Sequence, residues 1–237
     1  MKNYVILLAG GVGKRMGTDI PKQFLEVAGK PIIVHTLERF QGNQAIEKIV
    51  VVCVKEWIQR LQQMIEDYSL SKVQWIIEGG ETGHDSIRNG VFFLKDKIAA
   101  DDYIIVHDAV RPVLPQAAID EVLRVAHDKG NASSSIVCHP PIVYTDDFVS
   151  GITDVDREHV MLTASPQVFR YALALRCYEQ AERENLHDTT FTSSLLIHCG
   201  ERVYFAKGTT CNIKITKKED LALFEALSRI PDEQLYS

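Results

Sequence analysis

The chain has 237 residues, 46% hydrophobic and 24% charged, and carries a formal net charge of −6. That length allows one large α/β domain or two small ones, with ample core. The mild acidity argues against a nucleic-acid partner, which usually meets a broad basic face; it leaves room for a small anion held by a few local cations.

Tyr4–Ala9 reads as a buried strand and Pro31–Phe40 as a helix whose apolar side carries Ile32, Ile33, Leu37 and Phe40. Lys48–Val54 is a second β-rich run. Trp57–Tyr68 has helical spacing, and Val73–Ile77 returns to strand. A helix from about Glu81 to Phe93 follows Gly79-Gly80; Tyr103–Val106 is another strand and Gln116–His127 another helix. Beyond Pro140-Pro141 the segment from Ile142 to Leu162 reads as a two-stranded excursion turning at Ser150-Gly151. A lone hairpin is marginal in water, so this arm, at about 141–163, is expected to lean on a second subunit, the alternative being a loop folded on its own domain. Helix, strand and helix resume at Tyr171–Glu184, Arg202–Phe205 and Lys217–Ser228. The alternation predicts a single domain over residues 1–237: an α/β, doubly wound, mostly parallel Rossmann-like sheet with a protruding β-hairpin arm. Ligands in such a sheet lie beyond the carboxyl ends of the strands, where the glycines after Ala9, Glu78-Gly79-Gly80 and Val106-His107-Asp108 should meet.

The five cysteines include no C-x-x-C pair, and an odd number cannot all pair within one chain; reduced, buried thiols are expected. The apolar runs are too short to cross a bilayer, and Met1-Lys2-Asn3 leads straight into a strand, so a cytoplasmic protein without a membrane partner is expected.

Three constellations carry chemistry. The first is Leu8-Ala9-Gly10-Gly11-Val12-Gly13-Lys14-Arg15-Met16-Gly17, with Pro21-Lys22-Gln23-Phe24 behind it. Glycines after a strand let amide groups approach an anion, and Lys14, Arg15 and Lys22 supply charge for phosphates. A tight turn without ligand, or a nicotinamide-binding turn, remains open; Tyr68 and Lys72 even have the spacing of a short-chain dehydrogenase pair, though not on one helix. The second is His107-Asp108-Ala109-Val110-Arg111-Pro112. Asp108 can bind a sugar hydroxyl or hydrated Mg²⁺ and Arg111 a phosphate; a solvated ion pair is the plainer reading. The third, Gly79-Gly80-Glu81-Thr82-Gly83-His84-Asp85-Ser86, is either a capping turn or a reader of a base edge. Arg157 and Lys214, the latter in Asn212-Ile213-Lys214-Ile215-Thr216, would be bland alone.

Together these segments resemble the polyol-phosphate cytidylyltransferases, over essentially the whole chain and in order. The resemblance implies a nucleotidyltransferase-type fold, CTP and a polyol phosphate as substrates, Mg²⁺ as cofactor, and a homodimer formed through the arm. It implies that Leu8, Ala9, Gly10, Gly11, Gly13 and Lys14 wrap the CTP phosphates, and that Arg15 and Lys22 stabilise the transition state. Gly80, Glu81 and Ser86 would read cytosine and ribose. Asp108, also the metal ligand, and Arg111 would lie on the acceptor side with Ser165, which stands where the family usually has Thr. Arg157 would reach the acceptor phosphate across the dimer interface, and Lys214 would help align it. Gly10, His35-Thr36-Leu37-Glu38 and Val110 lean toward the teichoic-acid branch, whose acceptor is D-ribitol 5-phosphate; the isoprenoid branch, acting on 2-C-methyl-D-erythritol 4-phosphate, is the alternative. An NADP-dependent oxidoreductase and a non-catalytic nucleotide-binding relative are the readings outside the class. Two departures stand out: Gly83 replaces the usual Arg, and His187-Asp188-Thr189-Thr190-Phe191-Thr192 replaces an acidic stretch, keeping only Asp188 as an acid.

Overall fold

The structure, a computed structural model, describes residues 1–11, 20–187, 189 and 191–236. Gly13, Lys14 and Arg15, which the sequence assigns to the phosphate loop, and Asp188 lie outside the described residues.

Among the described residues the chain forms β1 (Asn3–Ala9), β2 (Glu26–Val27), β3 (Lys30–Pro31), α1 (Ile32–Gln41), β4 (Ile46–Cys53), α2 (Ile58–Asp67), β5 (Val73–Glu78), α3 (Gly83–Phe93), β6 (Tyr103–Asp108), α4 (Gln116–Lys129), β7 (Asn131–Val137), β8 (Ile142–Tyr144), β9 (Thr153–Val155), β10 (Met161–Arg170), α5 (Tyr171–Glu184), α6 (Thr192–His198), β11 (Phe205–Lys207), α7 (Lys218–Leu227) and α8 (Asp232–Leu235). Seven strands make one sheet in the order β11-β7-β10-β6-β1-β4-β5. Its pairings are parallel except where β10 runs antiparallel to both β6 and β7. The doubly wound, mostly parallel sheet expected from the alternation is therefore present.

Strands β1, β4 and β6 are near-continuous apolar runs because helices cover both faces. On one face Val5, Leu7, Val51 and Ile105 pack against α1, α2 and α4. On the other, Ile6, Val52, Ile104 and Phe169 pack against α3, α5 and α6. A third, smaller cluster joins Ile32, Val110 and Ile215 to Phe224 of α7 and Leu235 of α8. Local signals set the ends. Three helices start after a proline whose fixed φ suits the entry, at Pro31, Pro115 and Pro231. Gly130, at φ 91°, closes α4 in the left-handed conformation that glycine takes without strain.

Parallel pairing brings the carboxyl ends of β1, β4, β5 and β6 to one rim: Leu8 sits opposite Asp108, Ala9 opposite Cys53, and Cys53 opposite Glu78. Because β10 runs the other way, its middle rather than its end reaches that rim, and Ser165 lies beside Asp108.

The excursion is the antiparallel pair β8–β9, with Ile142 opposite Val155. Its expected end is corrected: Met161 and Leu162 already belong to β10, paired with Val137 and Ile136 of the main sheet. The strand expected at Arg202–Phe205 is displaced to Phe205–Lys207. The sequence pattern predicts neither β7 nor β10. β7 is a run of buried serines, and β10 carries Pro166 at a register break between Ala164 and Gln167, so neither shows strand periodicity. All five cysteines are free thiols, three of them buried. No helix among the described residues is long and apolar enough to cross a membrane.

Candidate active site

The glycine turn leaves β1 at Ala9 and is held from behind by Gln23. This side chain is 1% exposed, and its Nε2 donates to the carbonyls of Ala9 (2.7 Å) and Gly11 (3.0 Å). Two carbonyl acceptors leave only one orientation for the amide. Gln23 lies in a single 3-10 turn, Lys22–Phe24, that is pinned where Phe24 stacks on Trp57 with ring centroids 4.5 Å apart. Lys22, on the same turn, reaches across to donate from Nζ to the Ile215 carbonyl at 2.9 Å.

The second wall is the turn between β5 and α3. Gly79 N–H donates to the Cys53 carbonyl, tying the turn to β4. Ser86 Oγ accepts from Gly80 N–H (3.1 Å) and donates to the Thr82 carbonyl (2.9 Å). A Cβ on Gly80 would lie 2.2 Å from Asp85 Cβ, so only glycine fits there. Thr82 and Asp85 form a reciprocal capping box, with both amide-to-side-chain bonds at 3.1 Å. The capped helix turns its positive end toward the rim, where it favours an anion.

Asp108 closes the third side. Its Oδ1 accepts from Lys214 Nζ (3.0 Å) and its Oδ2 from Arg111 Nε (3.0 Å). Its backbone N–H donates to Ser165 Oγ (3.2 Å). Arg111 Nη1 donates to the Asn212 carbonyl and Asn212 Nδ2 to the Ser165 carbonyl, each at 2.6 Å. Burial works to raise the Asp108 carboxyl, but the charges of Lys214 and Arg111 overcome it and hold it down at about 2. The neighbouring His107 is 0% exposed, and burial pushes it down to about 4; it is a neutral ring whose Nε2 donates to the Arg111 carbonyl at 3.1 Å.

These three walls enclose a cleft of about 330 Å³. Ten of the sequence-predicted residues line it: Leu8, Ala9, Gly10, Gly11, Lys22, Gly80, Glu81, Ser86, Asp108 and Lys214. Ser165 and Arg111 stand directly behind Asp108. The plain solvated ion pair envisaged for Asp108 and Arg111 is not what forms: both side chains are largely buried, 14% and 12% exposed. Arg157 is not among the residues lining this cleft; it is exposed beside the arm, with Nη1 on the His139 carbonyl at 2.5 Å. Tyr68 and Lys72 precede β5, at the end of that strand remote from the rim, and Lys72 Nζ is bound to the Asn43 carbonyl, which removes the dehydrogenase-like pairing. A larger recess of about 640 Å³ lies beside α6 and β11, lined by none of the predicted residues.

A cleft with a glycine turn, a helix amino end, Lys22 and Lys214, and with Asp108 and Glu81 as its carboxylates, has the chemistry to hold a polyphosphate beside a second anion. The family model described as IspD, 2-C-methyl-D-erythritol 4-phosphate cytidylyltransferase, matches residues 3–229. The chain belongs to this cytidylyltransferase family. One similar relative is the ribitol-5-phosphate cytidylyltransferase of Lacticaseibacillus paracasei, 37% identical over 226 residues that cover 94% of this chain and 97% of that protein. Another is the 2-C-methyl-D-erythritol 4-phosphate cytidylyltransferase of Clostridium botulinum, 35% identical over 95% of this chain and 97% of that protein. Among solved structures, the 2-C-methyl-D-erythritol 4-phosphate cytidylyltransferase of Francisella tularensis superposes with a TM-score of 0.80 at 25% identity, over 96% of this chain and all of that one. As a member of a cytidylyltransferase family, the chain is a nucleotidyltransferase by class, and its fold is that of the family.

Sequence reasoning gave no role to Gln23, His107 or Asn212. All three lie inside the motifs, Gln23 and Asn212 overshadowed by their charged neighbours. His107, a polar residue in an apolar central strand, was the available signal for a buried polar link.

Proposed function

We propose that this cytidylyltransferase joins CTP and D-ribitol 5-phosphate into a CDP-polyol and pyrophosphate. The observation that carries the reading is the convergence of the glycine turn, Lys22, the α3 amino end and the Asp108–Lys214 pair on one cleft; the 37% identity to a ribitol-5-phosphate cytidylyltransferase supports the acceptor. 2-C-Methyl-D-erythritol 4-phosphate is the second reading, favoured by the family model and the C. botulinum relative.

The acceptor phosphate is already an anion and needs no strong base. Its oxygen attacks the α-phosphorus of CTP while pyrophosphate leaves in line, and the barrier is mostly charge repulsion and alignment. The glycine turn (Leu8 to Gly13, with Lys14) holds the triphosphate. Gly80, Glu81 and Ser86 read the base and ribose. Arg15 and Lys22 stabilise the charge that develops at the α-phosphorus. Lys214 holds the acceptor beside Asp108, which Arg111 and Ser165 fix from behind, and Arg157 of a second copy completes that side. A unit charge pair at ~4 Å is worth about 4 kcal/mol at an effective dielectric near 20, so a few such groups offset the repulsion of two bound anions.

Mg²⁺ is the proposed cofactor. Among the described residues no cluster of three acidic, histidine or cysteine side chains could cage an ion. Asp108 Oδ1 keeps a lone pair beside its hydrogen bond to Lys214, whereas Oδ2 is taken by Arg111 Nε and Ser165 Oγ. That suits an ion bound chiefly by phosphate oxygens and water with a single protein anchor. When bound, Mg²⁺ supplies charge neutralisation on the phosphates. CTP and phosphorylated polyols are cytoplasmic metabolites, and residence in that compartment is part of the proposal.

The test is pyrophosphate release from CTP and Mg²⁺ with each acceptor in turn. Higher kcat/KM with D-ribitol 5-phosphate supports the reading; preference for the methylerythritol substrate transfers it to the second. Thermal stabilisation by NADPH and not by CTP would overturn both.

A further inference from the structure

The neighbour of Gly83 meets the 187–192 stretch in the fold. Gly83 lines the cleft, and the next residue, His84, is buried, 2% exposed, in the first turn of α3. Its Nδ1 lies 2.5 Å from Thr189 Oγ1, a residue of the stretch that replaces the acidic segment. Two further buried polar contacts hold the first turn of α6. Tyr178 Oη pairs with Thr192 Oγ1 at 3.1 Å, and Gln167 Nε2 donates to Ser193 Oγ at 2.8 Å. Gln167 is two residues beyond Ser165, the partner of Asp108.

A histidine that served packing alone would be an uneconomical choice here. Burial lowers its pKa, so the ring is kept neutral. Its Nε2 is buried with no partner among the described residues, and its contact with the Tyr178 ring, 5.2 Å between centroids, would be met equally by phenylalanine. The hydrogen bond to Thr189 is what the imidazole adds.

The geometry points to His84 as a positioning residue: through Thr189 it fixes the entry to α6 against the first turn of α3, linking the nucleotide wall of the cleft to the Ser165–Asp108 side where the acceptor binds. The inference rests on the acceptor assignment proposed above. His84 touches neither substrate; the same turn of α3 presents Thr82, Gly83 and Ser86 to the cleft, so a strut from this turn places the acceptor side relative to the bound nucleotide.

The test is steady-state kinetics with CTP, Mg²⁺ and whichever of the two acceptors the wild-type protein turns over, on His84→Phe, Thr189→Val, the double variant and His84→Asn. His84→Phe and Thr189→Val should each raise the acceptor KM about tenfold while leaving the CTP KM and kcat within about threefold. The double variant should be no worse than either single one, since both remove one contact. His84→Asn, whose amide can take the place of Nδ1, should restore the wild-type KM. An unchanged acceptor KM in Thr189→Val, an equal rise in both KM values, or additive effects would overturn the inference; Thr189→Val decides alone if His84→Phe does not fold. Wild-type protein that turns over neither acceptor defeats the proposed function and this inference with it, whereas an active wild type with insensitive variants defeats only the inference.

Discussion

Lys22 and Arg15 are proposed to act on the same charge, the one that develops at the α-phosphorus. Replacing either with alanine should lower kcat by about 10²–10³, as removal of one well-placed transition-state donor does, while thermal melts stay close to wild type. Near-wild-type turnover in either variant would remove that role. His107 gives a prediction in pH. Its folded pKa, about 4, is below the unfolded value of 6.5. The unfolded chain therefore binds more protons between those values, and stability is fully present above pH 6.5 and falls as pH drops toward 4. For this fully buried ring the loss is on the order of 3 kcal/mol. His84 and His127, also lowered by burial, act in the same direction. Urea unfolding at pH 7 and pH 4.5 should show a smaller drop for His107→Gln than for wild type; identical drops would contradict the assignment. Asp108, held at about 2 against 3.8, contributes above pH 3.8 and loses its contribution only as pH falls toward 2.

At the level of elements, the turn before α3 is the proposed nucleotide wall. Gly80→Ala should drive a methyl into Asp85, open the capping box and weaken CTP binding by at least about tenfold, because the Ser86 and Thr82 contacts are lost together. Calorimetric titration of CTP checks it, and unchanged affinity would mean this turn does not meet the nucleotide. The capping turn is legible in the sequence because Gly79 to Ser86 is contiguous and its hydrogen bonds are local. The same holds for α5, predicted over the residues it occupies, Tyr171–Glu184. β7 escaped because Ser133, Ser134 and Ser135 look like a loop until Gln167 and the strands either side of it satisfy their polar groups. β10 escaped because Pro166 interrupts it. The His84–Thr189 contact spans 105 residues, and no local pattern announces such a pair; the motifs gave residues that share one cleft at the rim, but not the long-range contacts around it.

For the whole molecule, the arm exposes Phe148, Val149 and Ile152 at 93%, 90% and 97%. Covering each would be worth about 1.5–3 kcal/mol, and Arg157 lies outside the cleft lining of its own chain. A homodimer that buries the arm and lends Arg157 to the neighbouring cleft accounts for both. It predicts subunit complementation: Arg157→Ala and Lys22→Ala, each nearly inactive alone, should recover about a quarter of wild-type activity when mixed and allowed to exchange, since a mixed dimer holds one complete site. A mixture as inactive as its components, or a fully active monomer by light scattering, would refute the arrangement.

The most direct measurement is a crystal structure of the protein with CTP. The base should lie against Gly80 to Ser86, with the triphosphate along Gly10 and Gly11 toward Lys22 and its α-phosphorus facing Asp108 and Lys214. A nucleotide seated elsewhere, such as the recess beside α6, with Lys22 and Lys214 out of reach of its phosphates, would contradict the account.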